Sequence, residues 1–303
     1  LSLCEQEVRD QKYSTAELRA FSKTVGTAFG TEPVMQRIAH KAVGEKLKVA
    51  MVSSWNMKCG IAEFTKYYVE ASENQVDYRI YPHRTEALLG PEDEKTKERL
   101  WDTKGSLDRL IEELSRSDED VVHLQYTEGF FLYEELCKLA QALPPEKIIV
   151  ATCHNCAFIQ IKTQRERKLL NRIRFAVHQE KDREHLLRQG IRDEQVFLVP
   201  LGQLAASKRE ASAVHTALGM GTASPVIGSY GFLFPHKGIA KTIQAVALLK
   251  KIWPDILYLP CCSFFHVKEA SFPYYKECLE IVHALGLEHN VRFVTDFLKP
   301  EES

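Results

Sequence analysis

Residues Leu47–Ser53 read LKVAMVS, Ser54–Gly60 read SWNMKCG, and Ile61–Ala71 read IAEFTKYYVEA. A short unbroken apolar run is the pattern of a strand buried on both faces, and the apolar spacing after Gly60 is helical. Strand, glycine turn and helix open a βαβ unit, so the first prediction is an α/β fold with a parallel sheet. The alternation continues outward with DYRIYPH around Ile80 and a helix carrying Leu107, Leu110, Ile111 and Leu114 at i, i+3, i+4 and i+7. The strand VVHLQY follows from Val121, then FFLYEELCKLAQAL, then IIVATCH ending at His154. RFAVHQ, EKDREHLLRQG and VFLVP carry it on to Pro200, for a count of five strands in this half.

From Gly202 to Ser224 the residues turn small and polar with little periodicity, which marks a linker. A second series follows. PVIGSYG reads as a strand, KGIAKTIQAVALLKKI as a helix from Lys237 to about Trp253 closed by Pro254, and DILYLPCC as a strand. YYKECLEIVHALG, ended by Gly286, is a helix, and VRFVTD another strand. Three strands fall short of the five or six of a doubly wound sheet, so the second domain reads as cut short. The expected organisation is a helical extension over 1–45, a Rossmann-like domain over 46–205, a linker over 206–224 and a partial Rossmann-like domain over 225–303. The first residue is Leu1, not Met, which points to processing or to a piece of a longer multidomain chain.

The 303 residues are twice a loose allowance of about 150 per domain, in keeping with two domains. With 40 Lys and Arg against 41 Asp and Glu the formal charge is −1, which offers no overall basic field for nucleic acid. No apolar run approaches the roughly 18 residues of a spanning helix, and the first thirty positions lack the pattern of a secretory signal. Eight cysteines are too sparse for a disulfide framework, and several sit in apolar segments. A cytoplasmic location is expected.

A parallel sheet presents ligands to the carboxyl ends of its strands, so chemistry is sought just after Ser53, Tyr126, Cys153 and Gly231. Gly60 allows backbone to approach a ligand and precedes a helix start that offers free N–H groups to an anion; a tight turn would use a glycine there too. Gln125 and Glu128 project at the end of VVHLQY, where they could bind a polar substrate, although an acid also suits the start of a helix. His154 stands at the tip of its strand, better placed for a ligand than for the core. In GSYGFLFPHKG, Lys237 lies just past the glycine-rich strand end at the expected start of a helix. Ammonium and helix N-terminus together make a phosphate site.

Cys153 and Cys156 enclose His154 in C-x-x-C, which admits a redox dithiol or half of a zinc site. Zinc lacks further ligands nearby in sequence, and a dithiol enzyme has no need of two nucleotide-type domains. A dinucleotide fingerprint must follow a strand, yet Gly219, Gly221 and Ser224 precede one. A Walker motif and H-E-x-x-H are both absent from the sequence.

The phrases SYGFLFPHKGIAKTIQAVALLKKIWPDILYL and YYKECLEIVHALGLEHNVRFVTDFLKPEE resemble the donor-binding half of the retaining glycosyltransferases of family 4, which have the GT-B fold. WNMKCGIAEF is similar to the G-I-A-E-[YF] turn of one branch of that family, and TCHN to its strand-end histidine. The likeness runs from about Lys46 to Ser303. It implies two Rossmann-like domains facing a cleft, with Lys237, Gly231 and Gly238 at the diphosphate of a UDP- or GDP-sugar and the Gly60–Ile61 backbone facing it. It also implies His154 beside the transferring sugar, Gln125 and Glu128 on the acceptor side, and catalysis by His154 and Lys237 with no metal and no cofactor. No D-x-D-like motif sits at a strand end, in line with that. A saccharide or lipid-linked acceptor and peripheral membrane contact accompany the reading.

Two departures stand out. Phe232 occupies the place of an arginine that partners the lysine in the family, and the family's paired glutamates lie beyond VRFVTD, where this sequence stops. These 303 residues are therefore expected to be weakly active or inactive, and the alternative function is an inactive GT-B-like binding module or a Cys153/Cys156 redox protein.

Overall fold

Six β-branched runs pair into one parallel sheet. They are β1 (Leu47–Ser53), β2 (Val76–Pro82), β3 (Val121–Tyr126), β4 (Ile148–Cys153), β5 (Ile173–Val177) and β6 (Val196–Leu198), in the order β2-β1-β3-β4-β5-β6. The computed structural model describes residues 46–202, 216, 219–221, 223–265 and 268–297. The chain divides after Gly202 into two compact units. The expected extension over 1–45 lies outside the described residues, as does most of the expected linker. The first sheet has six strands where the sequence reading counted five, because VFL closes the edge with a three-residue strand on β5.

All six residues of β3 are buried, as a strand covered by helices on both faces must be. The covering helices are α1 (Gly60–Ser72), α2 (Asp108–Arg116), α3 (Tyr133–Ala142), α4 (Gln164–Leu170) and α5 (Glu180–Arg188). On α2, Leu110, Ile111 and Leu114 turn inward, as their spacing predicts. Helix α4 was not foreseen, although its signal is legible: Thr163 and Glu166 form a reciprocal capping box at its start.

Strand β1 lies between β2 and β3, so the chain leaves it in both directions. This is the topological switch point, beside which the carboxyl ends of such a sheet open a crevice. The long connection after β2 folds back along that strand. The N–H of Ile80 bonds to the Lys95 carbonyl (2.8 Å) and that of Lys97 to the Ile80 carbonyl (2.8 Å), covering an edge that would otherwise invite another chain. Trp101 anchors it, fully buried, with Nε1 donating to the Tyr81 carbonyl at 3.0 Å and its ring stacked on Phe131 at 4.8 Å.

In the second unit β7 (Val226–Phe232) and β8 (Leu257–Ser263) pair in parallel under α6 (Ile239–Leu249) and α7 (Lys268–Ala284). The expected strand VRFVTD is reduced to two bridges on β8, at Val291 and Val294. Pro260 explains the break. Tyr258 donates to Asn290 at 2.7 Å and Cys262 to Val294 at 2.9 Å, but the residue between them that should donate next has no N–H.

Helix α6 also departs from expectation. It begins at Ile239 rather than Lys237, which instead lies in a short 3-10 turn, Pro235–Lys237. Gly238 separates the two at φ 72°, a left-handed conformation that glycine adopts without strain. At the far end helical hydrogen bonding continues past Leu249, with the Trp253 N–H on the Leu249 carbonyl at 2.9 Å.

Candidate functional site

At the carboxyl edge of the first sheet, the ends of β1, β3, β4 and β5 bring together residues far apart in sequence. Gln125 at the end of β3 is fully buried, and its Oε1 is 2.9 Å from His154 Nε2 beyond β4. A carbonyl oxygen only accepts, so His154 donates from Nε2 and keeps its lone pair on Nδ1. The Gln125 amide in turn reaches Met51 Sδ at 3.6 Å. His178, just past β5, donates from Nδ1 to the Val199 carbonyl at 2.8 Å, and its Nε2 is buried without a hydrogen-bond partner. The His154 and His178 rings lie 5.3 Å apart, and Phe64 of α1 meets both edge-on at 5.1 and 5.6 Å. One turn further along α1, Tyr68 meets His123 at 5.4 Å, while His123 Nε2 and Thr152 Oγ1 are 2.8 Å apart.

The sequence reading singled out Gln125 and His154, and the structure hydrogen-bonds them to each other. It passed over His178, His123, Phe64 and Tyr68. His178 obeys the strand-end rule that selected His154; His123 is mid-strand and gives no such signal. Glu128 does not start a helix. It sits in a turn where Phe130 and Phe131 both donate to the Thr127 carbonyl at 3.0 Å, five residues ahead of Tyr133, the first residue of α3.

Burial pushes the His154 imidazole down to about 4, helped by the neighbouring His178, and burial with His154 nearby does the same to His123. Both folded-state values lie below the unfolded one near 6.5. As pH falls through 6.5 the unfolded chain therefore binds protons first, and stability present at neutral pH drains between 6.5 and 4. Urea midpoints followed from pH 7 to 5 are expected to show a loss of roughly 2 kcal/mol per imidazole, and His154→Gln to remove about half of that slope. A flat profile would contradict the burial of these rings.

The turn between β1 and α1 is held from outside. Asn56 Nδ2 donates to the Gly90 carbonyl at 2.8 Å, and Arg99 Nη2 to the Trp55 carbonyl at 3.2 Å. Helix α1 then starts on Cys59 with no side-chain cap, so the first N–H groups, at Gly60 and Ile61, are uncovered. A Cβ at Gly60 would meet nothing within 4 Å. Packing therefore does not demand the glycine there, and its effect is to leave the helix start open.

The second unit has its own carboxyl edge. Gly231 stands near the end of β7 at φ 136°, and a Cβ there would lie 3.3 Å from Lys237 Cε and 3.5 Å from its Nζ. The exposed lysine thus folds back over the glycine at the strand end. Of the first N–H groups of α6, that of Ala240 is already taken by the Tyr274 hydroxyl at 3.0 Å. Phe232 joins a half-buried aromatic group instead of supplying a second cation: Phe265 lies 5.3 Å from it edge-on, Phe297 6.3 Å and Phe234 6.5 Å.

Cys153 and Cys156 are buried in the core, and burial pushes the Cys153 thiol well up, opposite to the lowered value of a reactive thiolate. Among the described residues no three His, Cys, Asp or Glu side chains are placed to hold a metal ion, and no helix is long and apolar enough to cross a membrane.

No protein-family model matches the sequence, and neither does any curated protein. Solved structures do resemble it. Anabaena HepE in complex with UDP and glucose has 16% identity and a TM-score of 0.55, over 83% of this chain and 70% of that one. Sucrose-phosphate synthase from Thermosynechococcus elongatus has 16% identity and a TM-score of 0.61, over 83% and 71%. A glycosyltransferase from Rickettsia africae has 12% identity and a TM-score of 0.61, over 83% and 69%. At such identities the likeness shows the fold, which is GT-B.

Proposed function

We propose that this GT-B chain belongs to an enzyme that transfers a sugar from a nucleotide-diphosphate donor to an acceptor hydroxyl. The observation that carries the reading is Lys237 folded over Gly231 at a strand end, in a fold whose similar structures include one holding UDP and glucose. Sugar transfer needs the leaving diphosphate stabilised as its charge grows, and a cation already placed at the strand end supplies that with little reorganisation. In this reading Lys237, Gly231 and Gly238 hold the diphosphate, and the Gly60–Ile61 backbone is a separate anion-accepting helix start in the first unit. His154, neutral at physiological pH, hydrogen-bonds the transferring sugar, and Gln125 and Glu128 serve the acceptor side.

The resemblance to family 4 adds retention of configuration. The acceptor oxygen bonds to the anomeric carbon on the face from which the phosphate oxygen departs, and its proton passes to that phosphate. No carboxylate nucleophile is then required, and Lys237 with the backbone N–H groups takes the place of a metal.

Thermal unfolding with UDP-glucose and with GDP-mannose tests the donor site. A ligand at a hundred times its Kd adds about 2.7 kcal/mol to the native state. UDP-glucose is expected to raise the midpoint and Lys237→Ala to abolish the rise; no shift with either donor would defeat the reading. A second reading, that of a binding module without transfer, is favoured by Phe232, which puts an aromatic ring where a second phosphate cation was expected. A donor-induced shift with no product formed would select it.

A further inference from the structure

The pair of imidazoles at the carboxyl edge of the first sheet holds one nitrogen that the fold does not use. Cys153 of β4 and Val177 of β5 are register partners, so His154 and His178, each the next residue, leave adjacent parallel strands side by side with their rings 5.3 Å apart. His154 Nε2 is committed to Gln125, and His178 Nδ1 to the Val199 carbonyl just past β6. The bond to Val199 explains a donor at position 178 but not an imidazole, since the side-chain amide of an asparagine supplies the same N–H. The other ring nitrogen, Nε2, is buried and has no hydrogen-bond partner. A polar atom orphaned in this way loses its hydration and gains no bond, and native folds keep few of them.

One ring lies over both imidazoles. Phe64 meets that of His178 edge-on at 5.6 Å and that of His154 at 5.1 Å. It stands one turn past Gly60 and is itself only half-buried, with Tyr68 stacked 6.2 Å away and 40% exposed. Aromatic rings beside a few fixed polar atoms suit a molecule with C–H faces and a polar edge. Gln125, Phe64 and Tyr68 carry no charge and His154 is neutral, so the group offers a phosphate or carboxylate no fixed cation. A hydroxyl both donates and accepts, and therefore satisfies Nε2 whether the His178 ring is neutral or protonated. We infer that His178 is a second sugar-contacting imidazole of this edge, its Nε2 taking a hydroxyl of the transferring sugar once Phe64 turns aside. The assignment rests on the transfer reading, in which His154 meets the same sugar.

His178→Asn is the discriminating variant, because it keeps a donor for Val199 and deletes only Nε2. Its thermal midpoint is expected to stay at the parent value or to rise. Titration calorimetry with UDP and with UDP-glucose separates contacts to the diphosphate from contacts to the sugar. The variant is expected to bind UDP-glucose roughly five- to tenfold more weakly, the weight of one neutral hydrogen bond, and to bind UDP as before. In long-range nitrogen–proton spectra of the imidazoles, the Nε2 signal that His178→Asn removes should move with UDP-glucose and not with UDP. Phe64→Ala should move that signal before any ligand is added, by letting water reach the ring. UDP that does not bind the parent protein would defeat the transfer reading and this assignment with it. Where UDP does bind, an unchanged UDP-glucose to UDP ratio in His178→Asn, a His178 signal that ignores the sugar, or one that Phe64→Ala leaves in place would overturn the assignment alone.

Discussion

In the complete enzyme of the transfer reading, replacing Lys237 by alanine is expected to lower kcat/KM for sugar transfer by a factor of about 10² to 10³, the range seen when one preorganised oxyanion donor is removed. The size of the effect follows from the second edge as it stands. Phe232 sits among phenylalanines, and the Ala240 N–H is already bonded to Tyr274, so the charge that develops on the leaving phosphate has few other donors within this unit. The loss should appear in KM as well as kcat, because the ammonium holds the donor before the bond to phosphate breaks and interacts more strongly as it does. Gly231→Ala is the companion test: at φ 136° any side chain is strained, and the new methyl would press on Lys237 Cε. It should reproduce much of the loss with the ammonium still present. Full activity in Lys237→Ala would take the lysine out of the site.

Trp101→Ala should cost about 3–5 kcal/mol of stability in the first unit, the range for truncating a fully buried aromatic. The ring is completely enclosed, is stacked on Phe131, and supplies the donor for the Tyr81 carbonyl. Trp101→Phe restores most of the volume but not the N–H, and should recover all but about 1–2 kcal/mol. Denaturant midpoints of the two variants measure both parts. A loss below about 1 kcal/mol for alanine would mean that the long connection after β2 is not anchored as described. Arg99 and the Gly90 carbonyl of that connection also hold the turn that leads to Gly60, so alanine at 101 should loosen the start of α1 as well.

Periodicity made the first sheet legible. A parallel strand buried on both faces is a local apolar run, and LKVAMVS, VVHLQY and IIVATC need no partner to be recognised. What escaped the reading depends on neighbours. VRFVTD has strand composition, but whether it pairs continuously is decided by Pro260 on another strand. The start of α6 moved because Gly238 takes a left-handed turn, and that glycine was read only as part of a phosphate motif. At the candidate site the strand-end rule found Gln125 and His154 separately. Their mutual hydrogen bond, the roof formed by Phe64 and the flanking His178 come from segments that only the folded sheet juxtaposes. The aromatic group around Phe232 is likewise drawn from three stretches of chain, of which the sequence exposed only one.

His154 beneath Phe64 and His123 beneath Tyr68 are uncharged at neutral pH, and this sets the currency in which their edge of the sheet deals. Neutral dipoles act over a bond length, so they sort one pattern of hydroxyls from another yet exert no pull on a molecule still diffusing. An exposed ammonium does the reverse: its reach extends to about the Debye length, and it is indifferent to stereochemistry. In the proposed enzyme, capture and discrimination are thereby assigned to different halves of the polypeptide, and either can drift over evolution without retuning the other.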